Sequence, residues 1–149
     1  MTLLMVVIIT GCGGERAWST EELRAIDALR DIAQAQASFQ EGCYLDTDYD
    51  GIGDYGTLGM LADPDGHRGV RPLMNPLYTT ERVGRYKLNL YLVPGEGVDS
   101  PPRWEGQAFA DDEDLRCFFV DATGVVRFGE QRATANGDSR PVDEMTADA

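Results

Sequence analysis

Between Ser19 and Gly42 the apolar residues Leu23, Ile26, Leu29, Ile32, Ala33 and Phe39 recur at spacings of three, four and about seven, which lines them along one face of an α-helix. The same stretch carries its own boundary signals. Ser19 and Glu22 have capping-box spacing, Glu21 and Glu22 complement the positive end of the helix dipole, and Gly42 offers a stop. The spacing predicts one amphipathic helix over about 20–40. Its later part is slim, with Ala33, Ala35 and Ala37, so that a sheet can approach closely.

Downstream the period changes from helical to alternating. Tyr86, Leu88, Leu90 and Leu92 take every second place in 85–93, as a strand with one buried face requires. Further strands are expected at 106–110, 115–120 and 125–128. The last two flank Asp121-Ala122-Thr123-Gly124, whose first Asp and last Gly suit a type I turn. Thr57 can cap a single helical turn over 57–62, and a Pro- and Gly-rich loop follows to about Tyr78, with turn chemistry at Asp63-Pro64-Asp65-Gly66. Residues 133–149 are small, polar and acidic, and a disordered tail is expected there. A helix followed by short strands makes an α+β domain over 20–132.

At 149 residues and 42% hydrophobic content, the chain has the size and core of one domain. Its net charge of -13, with a single lysine, Lys87, among 13 basic residues, leaves no basic stripe to neutralise phosphates. Nucleic acid is excluded as a partner, and anionic membrane surfaces are unsuited for the same reason. The run Asp111-Asp112-Glu113-Asp114 reads as a solvated turn. His67, the only histidine, stands in the long loop without a second His or a nucleophile pair. With no nucleophile–base–orienter set and no nucleotide loop, a non-enzymatic role is expected.

Asp46-Thr47-Asp48-Tyr49-Asp50-Gly51-Ile52-Gly53-Asp54 is the most pointed chemistry in the chain. Asp at relative positions 1, 3, 5 and 9 with Gly at 6 follows the ligand order of a calcium loop, a hard cation that takes six to eight oxygens. Asp46, Asp48, Asp50, the Ile52 carbonyl and Asp54 are the expected ligands of a structural Ca2+. The twelfth position, where an EF-hand carries Glu, is Thr57. An acidic solvated turn is the alternative. Crowded carboxylates repel one another at neutral pH, which favours a cation.

Residues 1–11 form an uncharged apolar run, too short for a membrane-spanning helix but suited to the h-region of a signal peptide. Ile9-Thr10-Gly11-Cys12 resembles the lipobox of bacterial lipoproteins. That resemblance implies removal of 1–11, a lipid on Cys12, a linker over 12–19 and a place in the bacterial cell envelope. A buried first strand or helix with an incidental Cys is the other reading. With Cys12 taken by lipid, Cys43 and Cys117 remain as a pair in an oxidising compartment, where a disulfide is expected. Two separate thiols buried as small hydrophobes are the alternative.

The order of helix, Asp-rich turn, Tyr55-Gly56-Thr57-Leu58 and a meander ending in Phe118-Phe119-Val120-Asp121-Ala122-Thr123-Gly124-Val125-Val126-Arg127-Phe128 resembles the soluble part of type IV pilin-like proteins and type II secretion pseudopilins. The stretch from Ala28 to Phe39 matches the exposed half of the pilin helix. The resemblance implies one N-terminal amphipathic helix on a small antiparallel sheet of three to four strands, a structural role, and calcium in some members. Unlike a prepilin, the N-terminal apolar run contains no Glu and stops at Gly11.

Three roles follow as expectations. The first is a lipid-anchored envelope protein with a pilin-like, calcium-stabilised head, meeting protein partners there. The second is a minor pilin or pseudopilin subunit. The third is a calcium-dependent periplasmic or surface binder, with Trp18, Trp104, Tyr49 and Tyr55 as stacking residues. The anchor is testable at once: a radiolabelled lipid precursor is incorporated into the wild-type chain and not into Cys12→Ala.

Overall fold

In the computed structural model, which describes residues 16–64, 66, 71–129 and 135–145, the helix α1 runs Thr20–Glu41. The capping box forms as its spacing requires, with Glu22 N–H donating to Ser19 Oγ at 3.2 Å and Ser19 N–H donating to Glu22 Oε2 at 2.8 Å. The buried face is Ala25, Ile26, Ala28, Leu29, Ile32, Ala35 and Phe39, whereas Leu23, on the same periodic pattern, is exposed. The chain leaves α1 through Gly42 and a left-handed Cys43 with φ 49°. A short helix α2, Leu58–Ala62, is capped by Thr57, and Pro76–Thr80 forms a 3-10 turn.

Six antiparallel strands follow: β1 Arg82–Val83, β2 Tyr86–Val93, β3 Arg103–Phe109, β4 Cys117–Asp121, β5 Arg127–Gly129 and β6 Arg140–Pro141. They lie in sequence order, each paired with its chain neighbour. Register aligns Leu88, Ala108, Phe118 and Phe128 in one inward row and Leu90, Gly106 and Val120 in the next. Helix α1 packs on β3 and β4. Gly106 faces Leu29 of the helix, where an added Cβ would stand 3.6 Å from Leu29 Cδ2, and it is crowded more closely by Val120 at 3.1 Å and Trp104 at 3.3 Å. Trp18 closes the end of this core, edge-on to Phe118 and Phe128.

The sheet corrects the expected architecture: it has six strands, not the three or four of a pilin-like head. β2 to β5 lie where the apolar pattern predicts strands. β1 and β6 have two residues each, too few to show a period, and pairing with a neighbour makes them strands. β6 and the 3-10 turn Val142–Met145 also fall inside the segment expected to be disordered. They are held by Val142 N–H donating to the Val126 carbonyl at 2.9 Å and by Arg30 pairing with Asp143 at 2.7 Å. The 1–11 segment, Cys12 and His67 lie outside the described residues. Among the described residues, no helix is long and apolar enough to cross a membrane.

The expected Cys43–Cys117 disulfide is not formed: both are free thiols, Cys43 exposed and Cys117 buried. The reason is placement. Arg116, next to Cys117, bonds Glu22 in the first turn of α1, while Cys43 follows its last turn. At 1.5 Å of rise per residue the helix holds them roughly 30 Å apart, and a disulfide needs Cα atoms within about 7 Å.

Gly53 brings the acidic loop back against the end of α1, where an added Cβ would lie 2.3 Å from the Gln40 carbonyl oxygen. Gly53→Ala therefore costs about 1–3 kcal/mol by overpacking. Gly59→Ala, in the open interior of α2, adds about 0.5–1 kcal/mol instead. Urea unfolding of the two variants separates these outcomes.

Candidate metal centre

The acidic loop begins three residues after the left-handed Cys43 and is shaped by its own side chains. Gly51 N–H donates to Asp46 Oδ2 at 3.0 Å, Asp50 N–H to Asp48 Oδ1 at 3.4 Å and Ile52 N–H to Asp50 Oδ1 at 2.8 Å. Tyr49 takes a left-handed conformation, φ 58°, and Gly51 another, φ 83°. These turns swing Asp46, Asp48 and Asp50 onto one side. One carboxylate oxygen from each lies within 4.8 Å of the others.

Three carboxylate oxygens that converge in this way suit a hard divalent cation, which takes oxygen ligands. The donor set also shows a gap that a cation would fill. Asp46 Oδ1 and Asp50 Oδ2 are shielded from solvent and have no hydrogen-bond partner, which is costly for an anionic oxygen. Asp48 is held from the neighbouring loop, its Oδ2 accepting the Gly97 N–H. That bond outweighs partial desolvation and keeps the Asp48 carboxyl below its usual range.

Asp54, expected as a fourth ligand, has another task. Its Oδ2 accepts the Thr47 N–H at 2.8 Å and the Thr47 hydroxyl at 2.6 Å, and its Oδ1 accepts the Gly95 N–H at 2.9 Å. Asp54 is buried and stands outside the trio. Burial pushes its carboxyl up, but the Thr47 hydroxyl and the Gly95 and Thr47 N–H groups together push it further down. It fastens the acidic loop to the β2–β3 connection. Ile52 enters through its N–H bond to Asp50.

Two other residues that position the loop carry no periodic signal. Gln36, buried in α1, clamps Gly56 with both ends of its amide, Nε2 donating to the Gly56 carbonyl at 2.8 Å and Oε1 accepting the Gly56 N–H at 2.9 Å. Gly95 approaches so near that a Cβ there would stand 3.1 Å from Asp48 Oδ2. Of the four aromatic residues considered for stacking, Trp104 is in the core, Trp18 packs half-buried against it, Tyr55 packs on Trp104 with ring centres 6.2 Å apart, and Tyr49 alone stands free, 91% exposed. Searches of family models, curated proteins and solved structures find no match to this chain.

Asp54 and Asp48 hold protons less tightly when folded than in the unfolded chain. Their contribution is full above the unfolded carboxylate pKa of about 4 and is lost as pH falls below it. Asp54→Ala, which strands the Gly95 and Thr47 donors, costs about 3 kcal/mol at pH 7. It also flattens the fall in stability between about pH 4 and pH 2, read by urea unfolding across that range.

Proposed function

We propose that this chain is a non-enzymatic cell-envelope protein, lipidated at Cys12 after loss of residues 1–11. Its helix-on-sheet head binds calcium through Asp46, Asp48 and Asp50 and serves an interaction with protein partners. The observation that carries the calcium reading is the pair of shielded, partnerless oxygens on Asp46 and Asp50 within a converging carboxylate trio. The ion would neutralise the three carboxylates, and water would complete its shell. Its place supports a structural role: the loop joins the end of α1 to α2 and is bonded to the β2–β3 connection through Asp48 and Asp54. The sheet has six strands, not the three or four expected of a pilin-like head, and no filament role is proposed.

Thermal unfolding with calcium and with chelator tests this. A ligand that binds only the folded state, at a hundred times its Kd, stabilises by about 2.7 kcal/mol, a rise of roughly 5–10 °C for a chain of this size. Asp46→Asn with Asp50→Asn removes the rise. An unchanged wild-type midpoint at millimolar calcium would rule out the clamp.

A further inference from the structure

The sheet has an edge that its own strands leave open. β1 covers only the first residues of β2, pairing Val83 with Tyr86 and Arg82 with Lys87, and Leu88 N–H reaches the Glu81 carbonyl at 2.8 Å. Backbone groups alternate along a strand. The N–H and C=O of Leu90 and Leu92 therefore point the same way as the Leu88 N–H, outward from β3. Among the described residues no backbone group pairs with them there.

A groove of about 360 Å3 runs along this edge, walled by Thr57, Leu58, Gly59, Thr79 and Glu81. Its lining mixes apolar side chains with hydroxyl and amide groups, and among the described residues Glu81 is the one charged residue in its wall. Glu81 is exposed, makes no ion pair among the described residues and holds a left-handed backbone, φ 58°, where glycine would be easier.

We infer that this edge docks an extended segment of a partner protein, one with apolar side chains at alternate positions and a Lys or Arg beside Glu81. The added strand takes its backbone bonds from Leu90 and Leu92, and every second side chain lies against Leu58, Leu90 and Leu92. A row of unpaired strand groups accepts any extended chain. The single anionic wall, on a chain of net charge -13, selects a cationic one and disfavours a second copy.

The test uses random heptapeptides displayed in a library and selected on the full chain in calcium buffer. Selection enriches peptides with alternating apolar residues and one basic residue, and their binding slows amide exchange at Leu90 and Leu92. N-methylation of the peptide's edge-facing amides lowers affinity at least tenfold, while methylation of the alternate set does not. Glu81→Gly relieves the left-handed backbone and keeps the fold, yet weakens the basic peptides about three- to fivefold, the value of an exposed ion pair. An empty selection overturns the proposal, as does protection elsewhere than Leu90 and Leu92, or unaltered affinity in Glu81→Gly. Protection of those amides that grows with protein concentration alone assigns the edge to a second copy and overturns it equally.

Discussion

The carboxylate of Glu22 is the joint on which the head depends. It is fully buried, and its oxygens accept from Ser19 N–H, from Arg16, and from both the backbone and the Nε of Arg116. One side chain thus caps α1, anchors the segment before it and fixes the helix start to Arg116, the residue that leads into β4. Arg116 extends the joint by donating to the Arg16 carbonyl at 2.6 Å and lying over the Trp18 ring at 4.2 Å. A buried pair of this kind adds little net stability, but removing one partner strands the other at a cost of about 3–5 kcal/mol. Its contribution is position: with the start of α1 set, the inward rows of β3 and β4 fall beneath Leu29 and Ile32.

The other end of α1 is held by different chemistry. Gln36 clamps Gly56, Gly53 sits against the Gln40 carbonyl, and Asp54 ties the turn to Gly95. The acidic loop is therefore fastened on both sides, to the helix and to the sheet connection. Within the run only Asp46 and Asp50 keep a shielded oxygen without a donor, and this division separates candidate ligands from scaffold within one run of aspartates.

Much of the fold can be read from the residues. Ser19 and Glu22 mark the helix start because capping is local, and Tyr86 to Leu92 mark β2 because eight residues show a period. β1 and β6 cannot be read, since two residues have no period and exist as strands only through Lys87 and Phe128 opposite them. Glu22 reads as a cap, while its bond to Arg116 spans 94 residues and leaves no local trace. In the site, the 1-3-5 spacing is legible because turn geometry is local. Asp54 is not, because Thr47 and Gly95 claim its oxygens through the tertiary fold. Cys43 and Cys117 mislead for the same reason: even parity carries no distance, and the helix between their positions does.

The sheet is a plain meander, each strand beside the next in the chain, so its pairings can close soon after each segment is made. The helix is the exception. Its apolar face is complete by Glu41, but the strands that receive it, β3 and β4, begin only at Arg103 and Cys117. At ribosomal speeds of about 5–20 residues per second, that face stays uncovered for several seconds. The first element to form is thus among the last to find its partner. The Glu22–Arg116 joint, spanning 94 residues, can close only once β4 is reached.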